Sequence, residues 1–247
     1  MPIIDAHIHL GANRHTKYYP AERMFADLAE AGADGAVVFA FPEDMYRLTD
    51  TPEARAAANA YVLQVARAHE HVYPFYFVWT DYVLPDSLGD YVGLKWHRHS
   101  DEPPYDYADP GCEALLRAAA ELRLPITLEE ELHHTEAFVR RVADSGLTVI
   151  IPHLGLLNGG PEAMSRFFGE PHVFFDTSCA PAEAARWFLD EIGPARLLFG
   201  SDVSGTREPF FNFPLVERRR LEALDLTEDE RRLLFGGNLI RLLGRRA

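Results

Sequence analysis

Cysteine is scarce in this chain of 247 residues: Cys112 and Cys179 lie far apart, and no CxxC accompanies either. A disulfide framework and a thiolate zinc site are therefore not expected, and a reducing compartment is. Positive charge is short too, with 24 Lys and Arg against 38 Asp and Glu and a formal charge of −14. Such a chain repels a phosphate backbone, and its one basic cluster, Arg218 to Arg220, sits inside an amphipathic segment, so nucleic acid is not an expected partner. No apolar run approaches membrane-spanning length, and Met1-Pro2 leads into Ile3-Ile4 without a basic region before an apolar stretch. A cytoplasmic protein with no membrane partner is expected. Ser/Gly-rich linkers, low-complexity segments and obvious repeats are also missing, which predicts a single domain over 1–247.

Hydrophobic residues at 47% and charged residues at 25% are ordinary for a domain that buries a substantial core. Short β-rich apolar runs alternate with longer helical patterns along the whole chain. The strands read as Ile3 to Leu10, Gly35 to Phe41, Val72 to Thr80, Val92 to His97, Pro125 to Glu131, Thr148 to Leu154, Val173 to Ser178 and Arg196 to Asp202. Helical patterns lie between them, such as Ala21 to Ala31 and Thr51 to His69, and several begin near a proline, as at Pro20, Pro52, Pro161 and Pro181. Eight such units predict a (β/α)8 TIM barrel. A doubly wound open sheet is the rival, but the first turn, Leu10-Gly11-Ala12-Asn13, lacks the three-glycine phosphate fingerprint.

In a parallel barrel the C-terminal ends of the strands gather at one mouth, and here those ends are repeatedly polar. Strand one ends Asp5-Ala6-His7-Ile8-His9, and alternation projects His7 and His9 from one face. Alone, such a pair would more simply be two hydrogen-bonded core histidines. It is joined by His153 on strand six, Asp202 on strand eight and Glu129 on strand five. Mixed nitrogen and oxygen donors with an open position suit a divalent metal, zinc first, with manganese or iron as alternatives.

The runs IIDAHIHLG, GLKWH, LPITLEE, IIPHLG, LLFGSD and LLFGGNLIRLLG follow one another in the order found in the amidohydrolase superfamily. The chain resembles its amidohydrolase-related branch, which contains aminocarboxymuconate semialdehyde decarboxylase and related hydrolases. The resemblance implies that His7 and His9 are metal ligands, and that Asp202 binds the metal and shuttles protons from the nucleophilic water. It implies that His153 is a second ligand or polarises the substrate. One position departs from the pattern. Where the family commonly has histidine at the end of strand five, this chain has Glu129, a carboxylate that can still coordinate a hard ion.

Lys95 and His97 alternate on strand four, with His99 beyond them. Lys95 has three candidate roles: carboxylated bridge between two metals, cationic holder of a substrate carboxylate, or partner of Glu129. His97 is expected to reach the pocket and His99 to lie in a loop. Asp176 and Ser178 are candidates for hydrogen bonds to the histidines. Glu130 is expected to point outward into solvent, and Asn238 to cap the last helix. The loops after the strands carry Arg14, His15, Lys17, Tyr18 and Tyr19, then Arg207, Phe210, Phe211 and Phe213. Arg14 and Arg207 beside aromatics suit a small anionic substrate, while the phenylalanines suit equally loop packing or a homodimer contact.

The expected activity is metal-assisted hydrolysis of a small anionic amide, ester or lactone, with water activated by the metal. Non-oxidative decarboxylation on the same scaffold and a metal-free lactone hydrolase are alternatives, and a non-enzymatic binding barrel is a third.

Overall fold

A computed structural model describes residues 1–12, 18–40, 51–98, 104–203 and 211–244. Eight parallel strands form one sheet in chain order: β1 (Ile4–His9), β2 (Gly35–Phe39), β3 (Val72–Val78), β4 (Gly93–His97), β5 (Ile126–Glu129), β6 (Val149–Ile151), β7 (Val173–Asp176) and β8 (Leu197–Leu198). Each is paired to its neighbour in sequence. The sheet closes because Ile8 bridges Val203, Ala6 N donates to Phe199 O at 2.8 Å, and Asp202 N donates to His7 O at 2.8 Å. The barrel expected from the alternating pattern is the observed fold.

Alternation along the strands divides two environments. Outward residues such as Val38 on β2, Leu94 and Trp96 on β4 and Leu128 on β5 pack in the clusters between sheet and helices. Inward residues Ile4, Val37, Phe75, Ile150, Phe174 and Leu198 fill the barrel floor, with Leu239 and Leu242 packed against them. Gly93 is needed there: a Cβ at that position would lie 2.4 Å from the Phe75 ring. Above this floor the inward positions become polar. The site therefore rests on a packed apolar base.

Helices α1 (Ala21–Ala31), α2 (Pro52–Ala68), α3 (Pro110–Glu121), α4 (Leu132–Val142), α5 (Ala182–Ile192), α6 (Phe213–Glu222), α7 (Glu228–Arg232) and α8 (Asn238–Leu243) complete the architecture. The bounds of α1 are those read from its apolar stripe, and α2 starts where expected, with Thr51 accepting from Ala54 N and Pro52 in the first turn. Two connections differ. Between β3 and β4 only a single 3₁₀ turn forms, at Leu88–Asp90, and the pattern beginning at Pro161 forms a 3₁₀ helix, Pro161–Phe167. Gly159 and Gly160 precede it with φ of 108° and 95°, leaving little contiguous chain for an α-helix before β7.

Several strands stop earlier than their apolar runs. β6 ends at Ile151 because His153 and Leu154 turn into the left-handed region, with φ of 57° and 50°. The expected end of strand two at Phe41 lies outside the described residues. Within β1 the pairing slips: Asp5 faces Ala36 but Ile8 faces Val38, so one extra residue bulges between them. This bulge lies beside His7. Among the described residues no helix is long and apolar enough to cross a membrane.

Candidate active site and metal centre

His7 and His9 project from the end of β1, and both are buried. His7 Nδ1 contacts Asp176 Oδ2 at 2.8 Å, and His9 Nδ1 contacts the carbonyl oxygen of Ala40 at 3.1 Å. Both partners accept, so each Nδ1 carries the proton and each Nε2 presents a lone pair. Both lone pairs face one atom, Asp202 Oδ1, at 3.3 Å each. Burial depresses both imidazoles, His7 to about 4 with the help of Lys95. An acceptor facing an acceptor is unfavourable unless a cation lies between them. The donor set therefore fits a divalent ion held by His7, His9 and Asp202.

Asp202 lies just past β8, about a quarter exposed toward the mouth, with φ of 57°. Burial acts to raise its carboxyl, but the charge of the protonated His153 acts to hold it below the usual carboxylate range. His153, beyond β6, has the same left-handed backbone, and such conformations concentrate where surrounding structure enforces them. Its Nδ1 donates to Ser178 O at 3.1 Å, and its Nε2 faces Glu129 Oε2 at 3.5 Å. Burial alone would depress His153. The hydrogen bond and charge of Glu129 instead raise it to about 9, so it is a proton donor at neutral pH.

On the far wall, Lys95 Nζ donates to Glu129 Oε2 at 3.2 Å and lies 3.3 Å from His7 Nε2, all three residues being buried. The strand register that pairs His97 with Glu129 also sets His97 Nε2 3.3 Å from Glu129 Oε1. Burial opposes ionisation of Glu129, yet His97 and Lys95 hold it well below the carboxylate range. Of the three roles open to Lys95, pairing with Glu129 is the arrangement present.

The structure thus brings His7, His9, Lys95, His97, Glu129, His153 and Asp202 to one mouth, and it connects Asp176 and Ser178 to the histidines. Arg14, Arg207 and His99 lie outside the described residues, as do His15, Lys17 and Phe210. Three expectations are corrected. Glu130 does point out of the barrel but is buried, accepting from Arg98 at 2.6 Å and from the Tyr107 hydroxyl at 2.9 Å. Asn238 does not cap α8; its amide donates to the carbonyls of Pro194 and Leu197, at 2.6 and 2.7 Å. Tyr19, expected in a substrate-facing loop, is buried and donates to Asp27.

Two further residues belong to the site. Asp5 Oδ1 accepts from His7 N and Ser201 N, each at 3.0 Å, fastening the bulge of β1 to the end of β8. Its position in Asp-x-His-x-His was the available signal. Cys179 places its Sγ 3.8 Å from Asp202 Oδ2, on a left-handed turn beyond β7. The residue type alone gave no sign of this contact.

The amidohydrolase family model matches residues 4–245. This chain belongs to the amidohydrolase family. Solved structures sharing its fold include a probable 2-pyrone-4,6-dicarboxylic acid hydrolase from Acinetobacter baumannii with citric acid bound (15% identity, TM-score 0.76, 99% of this chain and 100% of that one). They also include 2,6-dihydroxybenzoate decarboxylase from Rhizobium (14% identity, TM-score 0.74, 100% of both chains). A third is an amidohydrolase from Burkholderia multivorans with bound zinc (18% identity, TM-score 0.71, 99% of both chains). No curated relative matches. In this amidohydrolase the histidine pair, His153 and Asp202 stand at the ends of β1, β6 and β8, the positions on which the sequence resemblance rested.

Proposed function

We propose that this amidohydrolase is a metal-dependent hydrolase of a small anionic amide, ester or lactone. The observation that carries the reading is the convergence of two unprotonated imidazole nitrogens on one carboxylate oxygen, His7 Nε2 and His9 Nε2 on Asp202 Oδ1. A divalent ion held by these residues, zinc by its donor set with manganese or iron as alternatives, would bring the pKa of water to about 7 and polarise a carbonyl. The zinc-containing neighbour supports that choice.

Asp202, held ionised and partly open to the mouth, accepts the proton of the attacking water and returns it to the leaving group. His153, held protonated by Glu129, donates to the carbonyl oxygen as negative charge develops there. Ser178 and Asp176 fix its orientation through its Nδ1 and its backbone N–H. His97, with Arg14 and Arg207 from the loops, is assigned to the anionic part of the substrate, a reading supported by the citric acid bound to the Acinetobacter neighbour.

Two observations favour second readings. A protonated His153 is also the donor that non-oxidative decarboxylation requires at the carbon losing carbon dioxide. The Lys95–Glu129 pair satisfies Glu129 without a metal, as a metal-free lactone hydrolase would require. Assay of chelated and zinc- or manganese-loaded protein on lactones, esters, amides and aromatic carboxylic acids tests all three. Hydrolysis restored by metal supports the proposal; hydrolysis indifferent to metal, or carbon dioxide release alone, contradicts it.

A further inference from the structure

The strand ends do not contribute alike to the mouth. His7 and His9 on β1, Lys95 and His97 on β4, Glu129 on β5, His153 beyond β6, Asp176 on β7 and Asp202 beyond β8 are all ionisable. β2 and β3 differ: their last inward side chains are the rings of Phe39 and Phe77, both fully buried. The Phe39 ring lies 4.7 Å from that of His9, and the Phe77 ring 6.3 Å from that of His97. One wall of the mouth is therefore aromatic where the rest is charged.

Trp79 continues this wall. It follows β3 by one residue, and alternation from Phe75 and Phe77 turns its side chain to the inner face. Its ring lies 4.6 Å from that of Phe77, one step nearer the opening. It shares an apolar cluster with Leu10 and Ala40, the residues that follow His9 and Phe39 at their own strand ends. Trp79 is only 3% exposed, yet its Nε1 has no hydrogen-bond partner among the described residues. Leaving a buried donor without an acceptor is costly, and a native structure that keeps one calls for a reason.

Trp96 on β4 is the contrasting case. Its Nε1 also has no partner among the described residues, but Trp96 points outward, with the rings of Tyr105 and Phe138 5.4 and 5.6 Å away. A ligand entering the mouth cannot reach it. Trp79 stands on the other side of the sheet, where a ligand can. We infer that the Trp79 indole N–H is a substrate-binding donor, hydrogen-bonding a carboxylate or carbonyl oxygen at the unreacting end of the substrate while the Phe77 and Trp79 rings flank its carbon skeleton. The inference rests on the reading of this mouth as the site of a small anionic substrate, and it assigns the side from which that substrate is held. The reacting carbonyl is then turned to His153 and Asp202, and the far oxygen to the β3 side.

The experiment is an NMR titration of chelated and zinc-loaded protein whose tryptophan indole nitrogens are isotope-labelled, with glutarate and benzoate as probes. Trp79, Trp96 and Trp187 are the three tryptophans, so each indole signal is assigned by its loss in Trp79→Phe, Trp96→Phe or Trp187→Phe, or by elimination if one variant fails to fold. At least one probe shifts the Trp79 signal of wild type and slows its exchange with solvent, while the Trp96 signal stays in place. In calorimetry Trp79→Phe binds that probe roughly tenfold more weakly than wild type, and Trp96→Phe binds it as wild type does. A probe that binds with the Trp79 signal unmoved overturns the inference, as does wild-type affinity in Trp79→Phe or a wild type that binds neither probe. Binding is read without turnover, so a protein that binds through Trp79 and does not hydrolyse contradicts the proposed activity alone.

Discussion

His7 Nδ1 donates to Asp176 Oδ2 at 2.8 Å, and the other oxygen of the same carboxylate accepts from the backbone N–H groups of His153 and Ser178 at 3.1 and 3.0 Å. One side chain on β7 therefore sets the tautomer of a residue on β1 and the placement of a residue beyond β6. Burial opposes its ionisation, but His7 and His153 keep Asp176 below the ordinary carboxylate range. The arrangement is the carboxylate–histidine support that orients a ligating imidazole.

Replacing this support has a defined consequence. Asp176→Ala frees His7 to exchange tautomers and leaves two buried N–H groups unpaired. Metal affinity is expected to fall by roughly 10- to 100-fold. Competition with a chelator of known affinity reads the change directly.

Asp202→Asn preserves shape while removing the group that accepts a proton from water. Turnover is expected to drop by roughly 10²- to 10⁴-fold with the fold intact, as judged by circular dichroism and by a melting temperature measured without metal. Turnover near that of the unaltered protein would contradict the role given to Asp202.

Much of this site was legible because strand alternation is a strict geometric rule. His7 with His9, and Lys95 with His97, share faces in the structure as their spacing predicts. The bulge within β1 was not legible, since nothing in Asp5-Ala6-His7 marks where pairing will slip. Glu130 eluded the sequence for a different reason: its partners Arg98 and Tyr107 come from two other segments, and only tertiary packing brings a cation and a hydroxyl to an outward carboxylate. Asn238 is similar, its amide being used by carbonyls more than 40 residues earlier in the chain. Cys179 approaches Asp202 where both adopt left-handed backbone, a conformation uncommon for a cysteine and one that nothing in the local sequence marks.

The metal-free protein should show a distinctive loss of stability in alkali. His153 is raised from 6.5 to about 9 by Glu129, after burial has worked against it. The stabilisation this confers is complete below about pH 6.5 and is lost as pH rises through about 9, amounting to roughly 3 kcal/mol at most. Urea midpoints of chelated protein between pH 6 and 10 measure it. Glu129→Gln should flatten the profile in that window; an equally steep profile would show that Glu129 does not hold the proton on His153.

His7 and His9 converge on Asp202 Oδ1 with lone pairs that a divalent ion held by the three residues would satisfy, and metal content tests this most directly. Elemental analysis should be made on protein purified without added metal, side by side with His7→Ala/His9→Ala. About one zinc, manganese or iron ion per unaltered chain, and almost none in the double variant, is the expected result. An unaltered protein that is empty and gains no stability from added zinc or manganese would contradict the metal centre, as would a double variant that keeps its full complement.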